Sequence, residues 1–290
     1  MTDQLSSDFS PITPDKLQSG KKFAANYAGE HVAGTEFVIG ALFVSWGVST
    51  YDIVVGLLIG NFLAVLSWAL VTAPIATDTR LTLYSYLEKI AGRGTIKLYS
   101  IVNCILFSIL AGAMITVSAS AIRIPFGIPP QVEWYPTSGA FILVALAVGA
   151  TVVFVAVKGF RGVARFAEIC APWMILMFIV GALSMLPVLV AATQSLETIV
   201  SFSDFMFVAN EHIWVYRESE FGFWHVAAFA WICNLSMHGA MGDMTLLRYA
   251  RKTSYGYFSA FGMFIGHYVA WICAGIMGAG AAMLLNTNIT

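Results

Sequence analysis

Seven blocks of mostly apolar residues, each long enough to cross a bilayer, constrain this chain more than any other feature. They run over Ala24–Val48, Ile53–Val71, Ile101–Ala121, Ser138–Val157, Glu168–Ala191, Phe223–Ala240 and Tyr255–Leu285. A hydrocarbon core needs about 20 residues of helix. Inside it every backbone N–H and C=O must bond within the protein, which leaves helices or a closed barrel. Blocks of this length are helices, so the expected fold is an all-α integral membrane protein. The last block is long enough to tilt or project beyond the bilayer. Composition agrees: 59% of the residues are hydrophobic and 11% charged, where a soluble domain carries about 25% charged residues. Net charge is −1, which offers nucleic acid no basic surface.

Basic residues set the expected orientation. Of the 15 Lys and Arg residues, only Arg123 and Arg217 fall on one side of the expected membrane. The rest lie in the N-terminal tail (Lys16, Lys21, Lys22), the 2–3 loop (Arg80 to Lys97), the 4–5 loop (Lys158 to Arg165) and the 6–7 loop (Arg248 to Lys252). Positive loops stay in the cytoplasm. The sequence therefore predicts a multi-pass protein of the cell membrane, inner or plasma, with a cytoplasmic N-terminus. Residues 1–23 read as a mobile polar tail, with no apolar region or cleavage site of a signal peptide. Residues 24–290 read as the transmembrane domain. An N-terminus inside argues against seven-helix receptors and rhodopsins, and no lysine follows Lys252 to hold a retinal. No HExxH and no GxSxG occurs, so no enzyme is expected. Cys104, Cys170, Cys233 and Cys273 sit singly in or beside apolar blocks, as small buried hydrophobes.

Two spans are unusual. Ala33-Gly34-Thr35-Glu36 puts small, polar and charged residues in the middle of span 1. A carboxylate there costs about 2.5–3.5 kcal/mol on insertion scales and needs a partner or a wet cavity. Gly34 eases a helix break, whose freed carbonyls can hold a cation. In span 6, Trp224, Trp231 and His238 recur every seven residues, with Asn234 on the same stripe. Trp231 offers a stacking face and Asn234 paired hydrogen-bonding groups. Gly239 and Gly242 weaken the end of that span. Breaks in spans 1 and 6 are the positions expected of two inverted five-helix repeats with a site between them. In span 3, Ser108, Gly112 and Thr116 form a small-residue seam, read as a packing face.

Several stretches resemble the nucleobase:cation symporter-1 family of cytosine, uracil, allantoin and hydantoin permeases. They are GVSTYDIVVGLLIGNFLAVL entering span 2, VKGFRGVARFAEICAPWMIL across the 4–5 loop, and span 6 running into GDMTLLRYARK. The resemblance implies a LeuT-type inverted-repeat transporter core, of which this chain would hold the first seven transmembrane helices and a complete member five more. It implies cation-coupled symport of a nucleobase or related planar nitrogenous heterocycle by alternating access. An amino-acid or amine transporter on the same core is the alternative, with Glu36 pairing the amine. Trp231 maps onto the stacking aromatic of helix 6, and Phe107 onto a helix 3 position where members carry Trp. The expected substrate contacts are Trp231, Asn234, Phe107, Gly34, Glu36 and His238. Backbone carbonyls from Ala33 to Glu36 correspond to the family's sodium contacts on helix 1. No cofactor is expected. The expected partners are the substrate, a coupling sodium ion or proton, and the lipid bilayer.

Overall fold

The computed structural model describes residues 10–131 and 133–287. The chain divides into two compact units, Met1–Ile90 with Cys170–Thr290, and Ala91–Ile169. Among the described residues, five helices are long and apolar enough to cross a membrane, and two shorter apolar helices accompany them. This is a multi-pass membrane fold.

Span 1 is two helices, not one. α1 covers Gly20–Glu30 and α2 covers Thr35–Ser45. At about 1.5 Å per residue, neither half alone crosses a bilayer. The interruption at His31–Gly34 falls where the sequence predicts it, slightly earlier in register. α3 runs over Thr50–Thr79, capped by Ser49, whose hydroxyl accepts the Asp52 N–H at 3.1 Å. Within α3, Trp68–Thr72 widens into a π turn just before Pro74. Proline has no N–H to give the preceding turn, and the wider turn absorbs the lost bond.

α4, Leu83–Ile122, begins in what the sequence read as the 2–3 loop, and it bends at Gly92. There φ is +79°, a conformation that glycine adopts without steric cost. α5 is Gly139–Val157 and α6 is Gly159–Thr193, which likewise takes up the expected 4–5 loop. In the second unit, Leu143, Leu146, Val153 and Phe154 all point outward from α5. Such a continuous apolar surface suits lipid and no aqueous setting. The hydroxyls of Ser108 and Thr116, on the seam expected to pack, bond back to the carbonyls of Cys104 and Gly112 in their own helix.

α7, Phe202–His212, is not legible as a span because it is short and polar-faced. Its start is a reciprocal cap. Ser201 accepts the Asp204 N–H, and the Asp204 carboxylate accepts the N–H groups of Val200 and Ser201. Those bonds favour the ionised form and hold Asp204 below the usual carboxylate range. α8 covers Phe223–Met237, and the second interruption follows it at His238–Asp243. A short turn, Met244–Leu247, precedes α9. α9, Thr253–Leu285, opens as a 3-10 turn, widens to a π segment over Phe261–Tyr268 and ends as α-helix.

Small residues set the packing of the first unit. A side chain at Gly60 would collide with the Ala227 carbonyl and the Ala230 methyl, and one at Gly56 with Val226. This Gly-x-x-x-Gly face brings α3 and α8 into close contact. Gly40 likewise lets α2 meet Ala274 and the Trp271 carbonyl on α9. Around these contacts Phe43, Ile53, Leu57, Leu189, Trp214 and Trp271 form the core.

The first nine residues of the tail lie outside the described residues. The following stretch is held, contrary to the mobile tail expected. The Ile12 N–H donates to Arg80 O at 3.2 Å, and the Gln18 N–H donates to Tyr249 O at 2.9 Å. Arg80 also donates from its guanidinium to the carbonyls of Arg248 and Ala250. Three segments that read as independent loops are thereby tied together through backbone groups.

Candidate functional site

The two helix interruptions carry the polar interior of the first unit. His31 ends α1, and its Nδ1 lies 2.7 Å from the Tyr27 carbonyl of the preceding turn. A carbonyl only accepts, so Nδ1 carries a proton. Room for this ring comes from a second Gly-x-x-x-Gly, Gly262 and Gly266 on α9. A Cβ at Gly262 would strike the His31 ring, and one at Gly266 would sit 2.7 Å from His31 Cβ. His31 Nε2 lies 2.8 Å from His238 Nε2, and His238 Nδ1 lies 2.8 Å from Asp243 Oδ1. The two ring planes are nearly parallel, with centroids 4.6 Å apart. Trp68 closes the cluster, edge-on to both rings.

A second set of bonds crosses the same region. Asn61 on α3 donates from Nδ2 to the Leu57 carbonyl at 2.8 Å. Its Oδ1 accepts Asn234 Nδ2 at 2.9 Å, and Asn234 Oδ1 accepts Nδ1 of His267 on α9. That order places a proton on His267 Nδ1 and turns its Nε2 toward Glu36 Oε1, 3.6 Å away. Trp271 stacks on His267 with ring centroids 4.7 Å apart. Its Nε1–H donates to Glu36 Oε2, and the Thr35 hydroxyl donates to Oε1 at 3.1 Å. Glu36 therefore meets the cost of a mid-span carboxylate with protein donors. His31 and His267 meet edge to face at 4.7 Å, so the two sets touch. His31, Glu36, Asn61, Asn234 and His267 are all buried.

The expected site residues distribute as follows. Gly34, Glu36, Asn234 and His238 lie in the first unit, at or beside the two interruptions. The amide of Asn234 is engaged on both sides by protein groups, and so is the ring of His238. The sequence points to both as substrate contacts. Trp231 is 37% exposed, and its Nε1 donates to Ser67 Oγ at 3.0 Å, which fixes the plane of its ring. Phe107 belongs to the second unit, where it is exposed on α4. The carbonyls of Ala33 and Gly34, expected as cation contacts, accept the N–H groups of Glu36 and Phe37 and close the first turn of α2. Among the described residues, no group of three or more His, Cys, Asp and Glu side chains is arranged to hold a metal ion.

Sequence reading missed His31, Asn61, Asp243, His267 and Trp271 as parts of one cluster. Two signals were present: the Gly-x-x-x-Gly spacings at 56–60 and 262–266, and single polar residues deep in apolar blocks. Comparison of the chain with family models, curated proteins and solved structures gives no match. Fold and site together define a multi-pass helical membrane protein with two interrupted spans joined by a buried polar cluster.

Proposed function

We propose that this protein is a secondary transporter of the nucleobase:cation symporter-1 kind, carrying a planar nitrogenous heterocycle together with a cation by alternating access. The observation that carries the reading is the pair of mid-span interruptions, at His31–Gly34 and His238–Asp243, bonded to each other through buried side chains. Irregular backbone at membrane depth is tolerated where it is buried in protein or lines a cavity, and in transporters such breaks flank the substrate. A LeuT-type inverted repeat accounts for their place in the first and sixth spans. Trp231, held by Ser67 with its face open, is the stacking platform. Thr35 and Trp271 each donate to one Glu36 oxygen, so the carboxylate is met by protein donors and does not require an amine as its partner.

Uptake of labelled uracil, cytosine and hydantoin into liposomes carrying the protein tests the reading, with a labelled amino acid as the alternative. Base-on-aromatic stacking is worth about 1–3 kcal/mol, or roughly 5- to 150-fold in affinity. Trp231→Ala is expected to lose that much and Trp231→Phe to keep part. Trp224→Ala, at an exposed position, should match wild type. Unchanged affinity in Trp231→Ala would remove stacking from the account, and uptake of only the amino acid would favour the alternative.

The proposed orientation has the N-terminus and the Arg248–Lys252 segment in the cytoplasm. In a cysteine-free background, a cysteine at exposed Ser195 should react with an impermeant maleimide applied outside, and one at exposed Ser254 should not. The reverse pattern would invert the topology.

A further inference from the structure

The two interruptions are linked by a chain of three short bonds, and these bonds need one more proton than their neutral groups supply. The chain runs from the Tyr27 carbonyl to His31, from His31 to His238, and from His238 to Asp243, with gaps of 2.7, 2.8 and 2.8 Å. Each gap requires one hydrogen, since two bare acceptors at that separation repel. Two neutral imidazoles bring one N–H each and an ionised carboxylate brings none. The third hydrogen is an excess proton. It sits on Asp243 with both rings neutral, or on the rings as an imidazolium beside the carboxylate. Moving it along the chain makes one N–H or O–H bond as the next breaks, with no heavy atom displaced.

We propose that His31, His238 and Asp243 form a proton-binding site that clasps the two helix interruptions together when loaded and releases them when empty. The inference rests on the same pair of interruptions as the transport reading and assigns its ion site to a proton. Loss of the excess proton leaves two N–H groups for three gaps. The Tyr27 carbonyl and the Asp243 carboxylate only accept and draw both Nδ1–H groups, so the bare gap falls between the two Nε2 atoms and breaks the cross-link between α1 and the segment after α8. That segment is irregular and not held by a helical ladder. Gly239 and Ala240 both have positive φ, and Gly242 follows them. Glu30, at the end of α1, lies at the surface of the first unit and within electrostatic reach of Asp243 and His238. The other titratable groups around the chain are Tyr27 on α1, whose hydroxyl is buried beside Asp243, and His267 on α9, which meets His31 edge to face. Glu36 and Cys233 lie beyond His267. Buried chains of this composition are the usual proton relays of membrane pumps and transporters.

The sign follows from the count. The clasp is closed at low pH and opens as pH rises through loading. Above that point the opening constant should grow about tenfold per pH unit, as linkage to a single proton requires. Asp243→Asn is the informative variant. Its amide N–H donates to His238 Nδ1 and completes all three bonds with no excess proton. Wild type should bind one proton per chain more than Asp243→Asn on titration in detergent between about pH 5 and 10, a window wide enough for an imidazolium held by a carboxylate. In wild type, hydrogen-exchange protection of 31–34 and 238–243, corrected for intrinsic base catalysis, should fall with rising pH, and in Asp243→Asn it should stay flat. Should Asp243→Asn misfold, ring-nitrogen NMR of wild type decides. Either His31 and His238 together carry three N–H protons, or they carry two beside a protonated Asp243. Equal proton counts, pH-independent protection in wild type, or two neutral rings beside an ionised Asp243 at low pH would overturn the proposal. None of these readouts uses a transported solute. Failed uptake with intact proton counts would sink the transport reading alone.

Discussion

Trp271→Ala is expected to destabilise the protein by about 3–5 kcal/mol, the range for removing a large buried aromatic side chain and leaving a cavity. Trp271 is buried with Phe43, Leu189 and Trp214 in the first unit's core, and its ring stacks on His267. It also donates the indole N–H that satisfies one oxygen of Glu36. Trp271→Phe separates these roles. It keeps a smaller aromatic in the core and removes the donor, so its loss should stay below that of Trp271→Ala, with about 1–2 kcal/mol of it on the scale of an interhelical hydrogen bond in membranes. Thermal unfolding in detergent micelles measures both. Equal losses in the two variants would mean that the hydrogen bond and not the packing carries the residue. A wild-type melting temperature in Trp271→Ala would remove Trp271 from the core altogether.

Asn234→Leu is expected to cost about 1–3 kcal/mol, because it deletes two interhelical hydrogen bonds at roughly 0.6–1.7 kcal/mol each. It strands Asn61 Oδ1 on α3 and His267 Nδ1 on α9. Asn61→Leu alone strands Asn234 Nδ2 from the other side. In the double variant both ends of the Asn61–Asn234 bond are apolar, so the loss should fall short of the sum by about 0.5 kcal/mol or more. Strict additivity would show that the two amides do not bond in the folded protein. The same variants bear on the reading of Asn234 as a substrate contact. One N–H and the oxygen of its amide are engaged by protein here, so the part of any effect on binding that arrives through His267 and Glu36 should track the loss of stability.

Much of the architecture was legible from the sequence because the bilayer enforces simple rules. Apolar blocks must be helices, and their lengths follow from the hydrocarbon thickness. A glycine beside a buried acid marks a place where a helix can stop, and Gly34-Thr35-Glu36 did so. Less legible was where helices go on. Leu83 to Ile90 and Gly159 onward read as loops by their charge, yet they are helical extensions of the spans that follow. Charge marks exposure to water and says nothing about whether the backbone is coiled. The capped α7 is the same lesson in reverse. Its Ser201–Asp204 signature was present, but a search for spans passes over an 11-residue helix.

What the sequence by itself determined was the set of apolar spans, the two weak points at spans 1 and 6, and the residue types that such points attract. What only the tertiary structure decided was which of those residues meet. His31 and His238 stand 207 residues apart and share a 2.8 Å bond. Trp271 and Glu36, 235 residues apart, share another. Such pairings depend on helix rotation and on how closely the axes approach. Those in turn depend on Gly56 and Gly60, and on Gly262 and Gly266, lying against one particular neighbour. Glycine at these positions has no side chain to announce a partner. Its effect is the space it leaves, and that space has meaning only once the neighbouring helix fills it.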